Sequence, residues 1–173
     1  MARTYRLSRF TARPPLPTGL ENGSTMDTHT APVQVTGDLI VDALASQGIR
    51  YFVDSEGEIG CLVGNRVFLF MRFGNQREVI QVRGCWNRVA TIERASLILD
   101  FCNKWNFDMV WPKAYYRVRD DGVISVFTEV SHDFEFGATV EQLAEFLMNG
   151  LRAGDHFFDR LDERFPDPLG KPA

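Results

Sequence analysis

His132, Asp133 and Glu135 follow one another closely after a strand-like run, and with Glu129 or His156 they would offer a metal ion both nitrogen and oxygen ligands. No HxxxH, HxxE or paired-cysteine spacing sits on a defined element, however, so the cluster reads as a solvated loop. The acidic run Asp54-Ser55-Glu56-Gly57-Glu58 lacks the twelve-residue ligand spacing of an EF-hand and reads as a hairpin turn. Ser96, Ser125 and the three cysteines Cys61, Cys85 and Cys102 fall inside helix-like or strand-like segments. None has a glycine-rich elbow around it, so no nucleophile has a positioned base. GxGxxG and GxxxxGK(S/T) are both absent, which leaves no loop to cradle a nucleotide phosphate. The sequence therefore predicts no catalytic residue, no cofactor and no metal.

One arrangement points to a different chemistry. Tyr115, Arg117 and Arg119 alternate so as to line one face of a strand, with Arg77 and Arg83 able to join them, and such a face stacks on and neutralises single-stranded RNA. A formal charge of -4 and a pI near 5.4 weigh against it, because phosphate neutralisation needs a basic surface. Single-stranded RNA binding is the alternative reading.

The elements that would position these residues follow from hydrophobic period and turn chemistry. Residues 1–35 carry Pro14, Pro15, Pro17, Gly19, Gly23 and Pro32 among Ser and Thr, with Arg3, Arg6, Arg9 and Arg13 against Glu21 and Asp27. With no sustained apolar period, they are predicted to be a disordered leader, and Met26 stands inside it as an alternative start. No 7 to 15-residue apolar run follows the arginines and no stretch reaches membrane-spanning length, so a cytoplasmic location is expected. Leu39, Ile40, Ala43 and Leu44 recur at helical spacing before Gly48 and predict a first helix.

Hairpin-spaced strands are predicted next, at Arg50 to Asp54, Glu58 to Val63, Arg66 to Phe73 and Arg77 to Val82, separated by Gly-containing turns. Val67 to Phe73 is apolar on both pleat faces apart from Arg72, which suggests a central strand. Ile80 and Val82 alternate with Val79, Gln81 and Arg83 in a more edge-like way. A second helix is predicted over about Thr91 to Trp105. Trp111 to Arg119 and Val123 to Val130 then form a hairpin about Asp120-Asp121-Gly122, with Ile124, Val126, Thr128 and Val130 on one side.

The last third opens with Thr139 and Gln142 in capping-box spacing and continues as a long amphipathic helix to Phe165-Pro166. Asn149-Gly150 and Gly154 interrupt its stripe. Either the helix breaks there, or the small residues admit a close neighbour. The fold class expected is α+β, one antiparallel sheet packed against helices in the order αβββ(β)αββα. The domain runs over 36–166, and 167–173 is a flexible tail.

Apolar surface is what remains unassigned. In the second helix Leu97, Phe101, Trp105, Ile98, Cys102, Ala95 and Leu99 sweep well over half the circumference, where a helix lying on one sheet needs an arc of little over ~100°. The surplus must meet another helix or another subunit. Together with the aromatic residues nearby, it predicts a protein-binding surface that includes Leu97, Phe101, Trp105, Trp111 and Tyr115, and a homodimer whose contact includes the second helix.

Several local strings resemble the YbjN domain family of bacterial proteins. They are Tyr51-Phe52-Val53-Asp54, Val82-Arg83-Gly84-Cys85-Trp86, Asn103-Lys104-Trp105-Asn106, Arg119-Asp120-Asp121-Gly122-Val123, Gly137 to Leu143, Phe157-Phe158 and Phe165-Pro166, in that order over about 36–166. The resemblance implies a fold similar to type III secretion chaperones. It also implies a non-enzymatic, often dimeric regulator or chaperone-like module with a protein partner, associated with sensing and stress, and it carries over no catalytic residue.

Overall fold

The computed structural model describes residues 31–166; residues 1–30 of the leader expected over 1–35, and the expected tail 167–173, lie outside the described residues. Residues 31–35, expected in the leader, already belong to the fold. Val33 exchanges two backbone hydrogen bonds with Ala138, of 3.0 and 2.9 Å, and Val35 is buried. Helix α1 (Gly37–Ser46) starts where the Thr36 hydroxyl accepts from the Leu39 N–H, and buries Leu39, Ile40, Ala43 and Leu44.

One antiparallel sheet of seven strands carries the rest: β1 (Tyr51–Val53), β2 (Ile59–Val63), β3 (Arg66–Phe73), β4 (Val79–Cys85), β5 (Ala90–Thr91), β6 (Lys113–Val118) and β7 (Val123–Asp133). The order is β1-β2-β3-β4-β7, with β6 on the far edge of β7. Ile124 pairs with both Ala90 and Val118, so the short β5 lies on the β4 side of β7. Asp54 makes the β1–β2 turn by accepting the backbone N–H groups of Glu56 and Glu58, each at 2.9 Å.

β4 corrects the sequence reading: it pairs with β3 on one side and β7 on the other and is central, not edge-like. Its alternation of buried Ile80, Val82 and Gly84 with half-buried neighbours records something else, namely that helices cover only one face of the sheet. Val67 to Phe73 is central as expected. Its second apolar set forms a small cluster on the helix-free face, where Leu69 and Met71 pack with Phe52 and Val67.

α3 (Val140–Arg164) runs as one unbroken helix, opened by the expected capping box between Thr139 and Gln142. Its glycines are places of close approach. A Cβ on Gly150 would lie 2.8 Å from Val82, and one on Gly154 would lie 2.7 Å from the Phe68 ring and 2.9 Å from Thr128 Oγ1. α2 (Ala95–Asp108) begins later than predicted because Thr91 is taken by β5 and Ile92–Arg94 form a 3-10 turn. Its wide apolar arc is explained largely by α3: Phe101 meets Phe157 and Phe165 at ring separations of 5.6 and 6.3 Å, and Trp105 meets Phe157 at 5.1 Å.

All three cysteines are free thiols, and burial pushes Cys61 and Cys102 up to about 12 and Cys85 to about 11. At pH 8 the native thiols should react with an aromatic disulfide reagent only through opening of the fold, with Cys85, the least buried, first. The sign of the linkage follows from the same shifts. Above about pH 9 the unfolded chain releases thiol protons that the folded state retains, so stability falls as pH rises through 9 to 12. Titrating the urea midpoint over that range checks this, and a flat profile would contradict it.

Candidate protein-binding surface

α2 ends at Asp108, and the chain returns to β6 through Met109, Val110, Trp111 and Pro112. Phe107 and Val110 are 91% and 93% exposed, and Met109 and Trp111 are exposed beside them. This apolar turn is held in place rather than loose. The Asn106 side chain accepts from the Ala114 N–H at 2.7 Å and donates to the Ala114 carbonyl at 2.8 Å, while the Trp105 indole N–H donates to the Pro112 carbonyl at 3.2 Å. The Met109 N–H donates to the Trp105 carbonyl, and Trp111–Pro112 is a cis peptide. The Trp105 indole and the Asn106 amide thus hold an exposed apolar patch in place.

The five residues predicted to bind protein do not share one surface. Leu97 and Trp111 are exposed, Leu97 on the flank of α2 and Trp111 in its exit turn. Phe101 and Trp105 are half-buried, holding α2 to α3. Tyr115 lies on the helix-free face of the sheet, donates its hydroxyl to Glu129 and stacks on Phe127 at 5.6 Å. Burial, then that hydrogen bond, raises its pKa far above the ordinary phenol value. Phe107, Met109 and Val110 were missed because reading the helix as ending at Trp105 made them an anonymous linker. Their density of large apolar residues between two elements was the available signal.

The arginines considered for RNA are largely committed within the domain. Arg83 pairs with Glu129 at 2.8 Å and with Gln81, Arg119 pairs with Asp121, and Arg117 lies over the Tyr115 and Phe127 rings. His132 packs edge-on against Phe134, and His156 packs against Trp105, so the two histidines sit in separate aromatic surroundings. Among the described residues no three His, Cys, Asp or Glu side chains gather in a group able to hold a metal ion.

A buried polar network also went unread. Arg66, at the start of β3, reaches Asp155, Asp159 and Asp162 at 2.5, 2.8 and 2.6 Å. Asp162 also receives Arg88 and, at 2.7 Å, the Trp86 indole N–H. The spacing of the aspartates at i, i+4 and i+7 puts them on one side of α3, a pattern legible in sequence. Their cation lies about ninety residues away, which is not.

An antiparallel sheet with helices on one face, among the described residues seven strands and three α-helices, defines an α+β domain. The pattern of one family matches residues 36–163, under the description "Putative bacterial sensory transduction regulator". The chain belongs to this family, YbjN. Among solved structures it is similar to YbjN from E. coli, described as a putative transcription regulator, with a TM-score of 0.67 and 16% identity over 78% of this chain and 96% of that one. An uncharacterized protein from Methanothermobacter thermautotrophicus is similar with a TM-score of 0.51 and 15% identity, over 74% and 97% of the two chains. Both likenesses are of fold. No curated protein matches the chain.

Proposed function

We propose that this domain is a non-enzymatic regulator of the cytoplasm that works by binding protein, with chaperone-like use of its surface, and that it does so as a homodimer. The carrying observation is the pinned apolar turn of Phe107, Met109, Val110 and Trp111, which presents side chains that a monomer gains nothing by exposing. Leu97 and Leu99, on opposite flanks of α2, also remain exposed after α3 has covered the middle of the arc, and they support the dimer part of the reading. No helix among the described residues is long and apolar enough to cross a membrane, which is compatible with that setting. Family membership supports a regulatory role at the coarse level.

Light scattering on the eluting peak should give about twice the 19.7 kDa chain mass. Leu97→Glu or Leu99→Glu should return the mass to that of one chain, with circular dichroism unchanged because both side chains are already solvent-exposed. A monomer at roughly tens of micromolar would remove the homodimer from the proposal. Capture of partners with and without nuclease separates protein binding from the RNA alternative: clients lost with the nuclease would favour RNA.

A further inference from the structure

Strand β6 is an edge, and its backbone sorts into two sets. The odd residues Lys113, Tyr115 and Arg117 face β7 in the ladder, as the Arg119 N–H to Val123 carbonyl bond beyond it confirms, while Ala114, Tyr116 and Val118 direct their N–H and C=O groups outward. Asn106 occupies the outward groups of Ala114, donating and accepting as a neighbouring strand would. Among the described residues, Tyr116 and Val118 have no strand on their outer side. Asn106 therefore acts as an end-stop that leaves a short open template in a fixed register.

From this we infer that the β6 edge at Tyr116 and Val118 takes an extended acidic segment of a partner protein as an added strand. The inference deepens the protein-binding reading and rests on it. Backbone groups arrayed along an edge are matched by another extended backbone. Side chains set its composition. Lys113 and Arg117 stand on the helix-free side of the edge; among the described residues Lys113 makes no ion pair, and Arg117 lies over the Tyr115 and Phe127 rings. Tyr116 and the exposed Val118 stand on the helix side. An added strand would thus carry an acidic residue opposite Arg117, with Lys113 adding positive charge at the end where Asn106 closes the template, and apolar residues on the helix side.

A second copy fits this edge poorly. A two-fold centred on Arg117 sets that residue against its own copy, and one centred on Tyr116 sets Val118 against the Ala114 groups that Asn106 already holds. The chain's own leader, with Arg3, Arg6, Arg9 and Arg13, has the wrong charge.

The test uses the full chain and a synthetic acetylated octapeptide of alternating Glu and Val, alongside selection from a displayed library of random decapeptides. Library winners should alternate acidic and apolar residues, and octapeptide binding should weaken with salt. The amides of Tyr116 and Val118 should exchange rapidly in the free protein and slowly in the complex. Val118→Pro removes an outward N–H that the ladder to β7 does not use, and should cut affinity about tenfold. Should that variant misfold, N-methylating the octapeptide at its inward-facing amides must produce the same loss on the unaltered protein. Binding that survives both changes, peptides selected with helical spacing, or amide protection of Tyr116 and Val118 arising from self-association would each overturn the inference. A protein that dimerises through Leu97 and Leu99 yet ignores these peptides would refute the added strand alone and leave the broader reading standing.

Discussion

Gly154→Val should lower stability by about 3 kcal/mol, at the upper end of the usual cost of overpacking. α3 crosses the sheet where Gly154 and Gly84 flank the same two side chains. A Cβ on Gly84 would meet Thr128 Oγ1 at 2.5 Å, Phe68 at 2.7 Å and Phe158 at 2.8 Å. Phe68 and Phe158 are fully buried and already packed edge-on at 6.2 Å, so neither ring can swing away. The informative variant is Gly154→Ala. In an open helix it would stabilise by about 1 kcal/mol through propensity. Here the contact with Phe68 should reverse the sign, and urea unfolding that showed a gain would mean that helix and sheet are free to separate at this point.

The second large effect is expected at Arg66. Its side chain is 9% exposed and is the common partner of Asp155, Asp159 and Asp162. Arg66→Met keeps much of the volume but leaves Asp155 and Asp159 without their cation, while Asp162 keeps Arg88 and the Trp86 indole N–H. Breaking a fully buried pair by removing one member costs about 3 kcal/mol or more, and the loss here should stay below that because Asp155 and Asp162 are 34% and 26% exposed. Asp155 should account for most of that loss, because Asp162 keeps Arg88 and Trp86 as partners and Asp159, at 60% exposed, is well screened. Adding Asp155→Asn to Arg66→Met should therefore recover part of the lost stability, while Asp159→Asn should recover little. Equal recovery from the two would show that the network is governed by net charge on α3 rather than by burial.

The sequence exposed the elements well and the way they meet less well. α1, the meander of β1 to β4, the β6–β7 hairpin and the capped α3 follow from period, turn glycines and one capping box, all local signals. The width of the α2 arc was legible, and so were the two explanations for it. Choosing between them needed the position of Phe157, some fifty residues further along. A longer separation, about ninety residues, hid the cation for the three aspartates. β4 was misread because alternation reports how many faces are covered, and that is settled by the whole helix layer. Of the exposed apolar residues on and after α2, Leu97 and Trp111 were visible, whereas Phe107 and Val110 depended on where α2 stops.

The covering of the meander by the last helix of the described residues has a consequence for synthesis. Strands β1 to β4 form neighbour-to-neighbour hairpins complete by Cys85, but the helix that closes over Phe68 and Val82 begins only at Val140. At roughly 5–20 residues per second, several seconds separate the two events on a ribosome. During that interval the nascent chain carries a paired sheet with a bare aromatic face, so the moment of greatest exposure to misassembly comes after half the fold has formed.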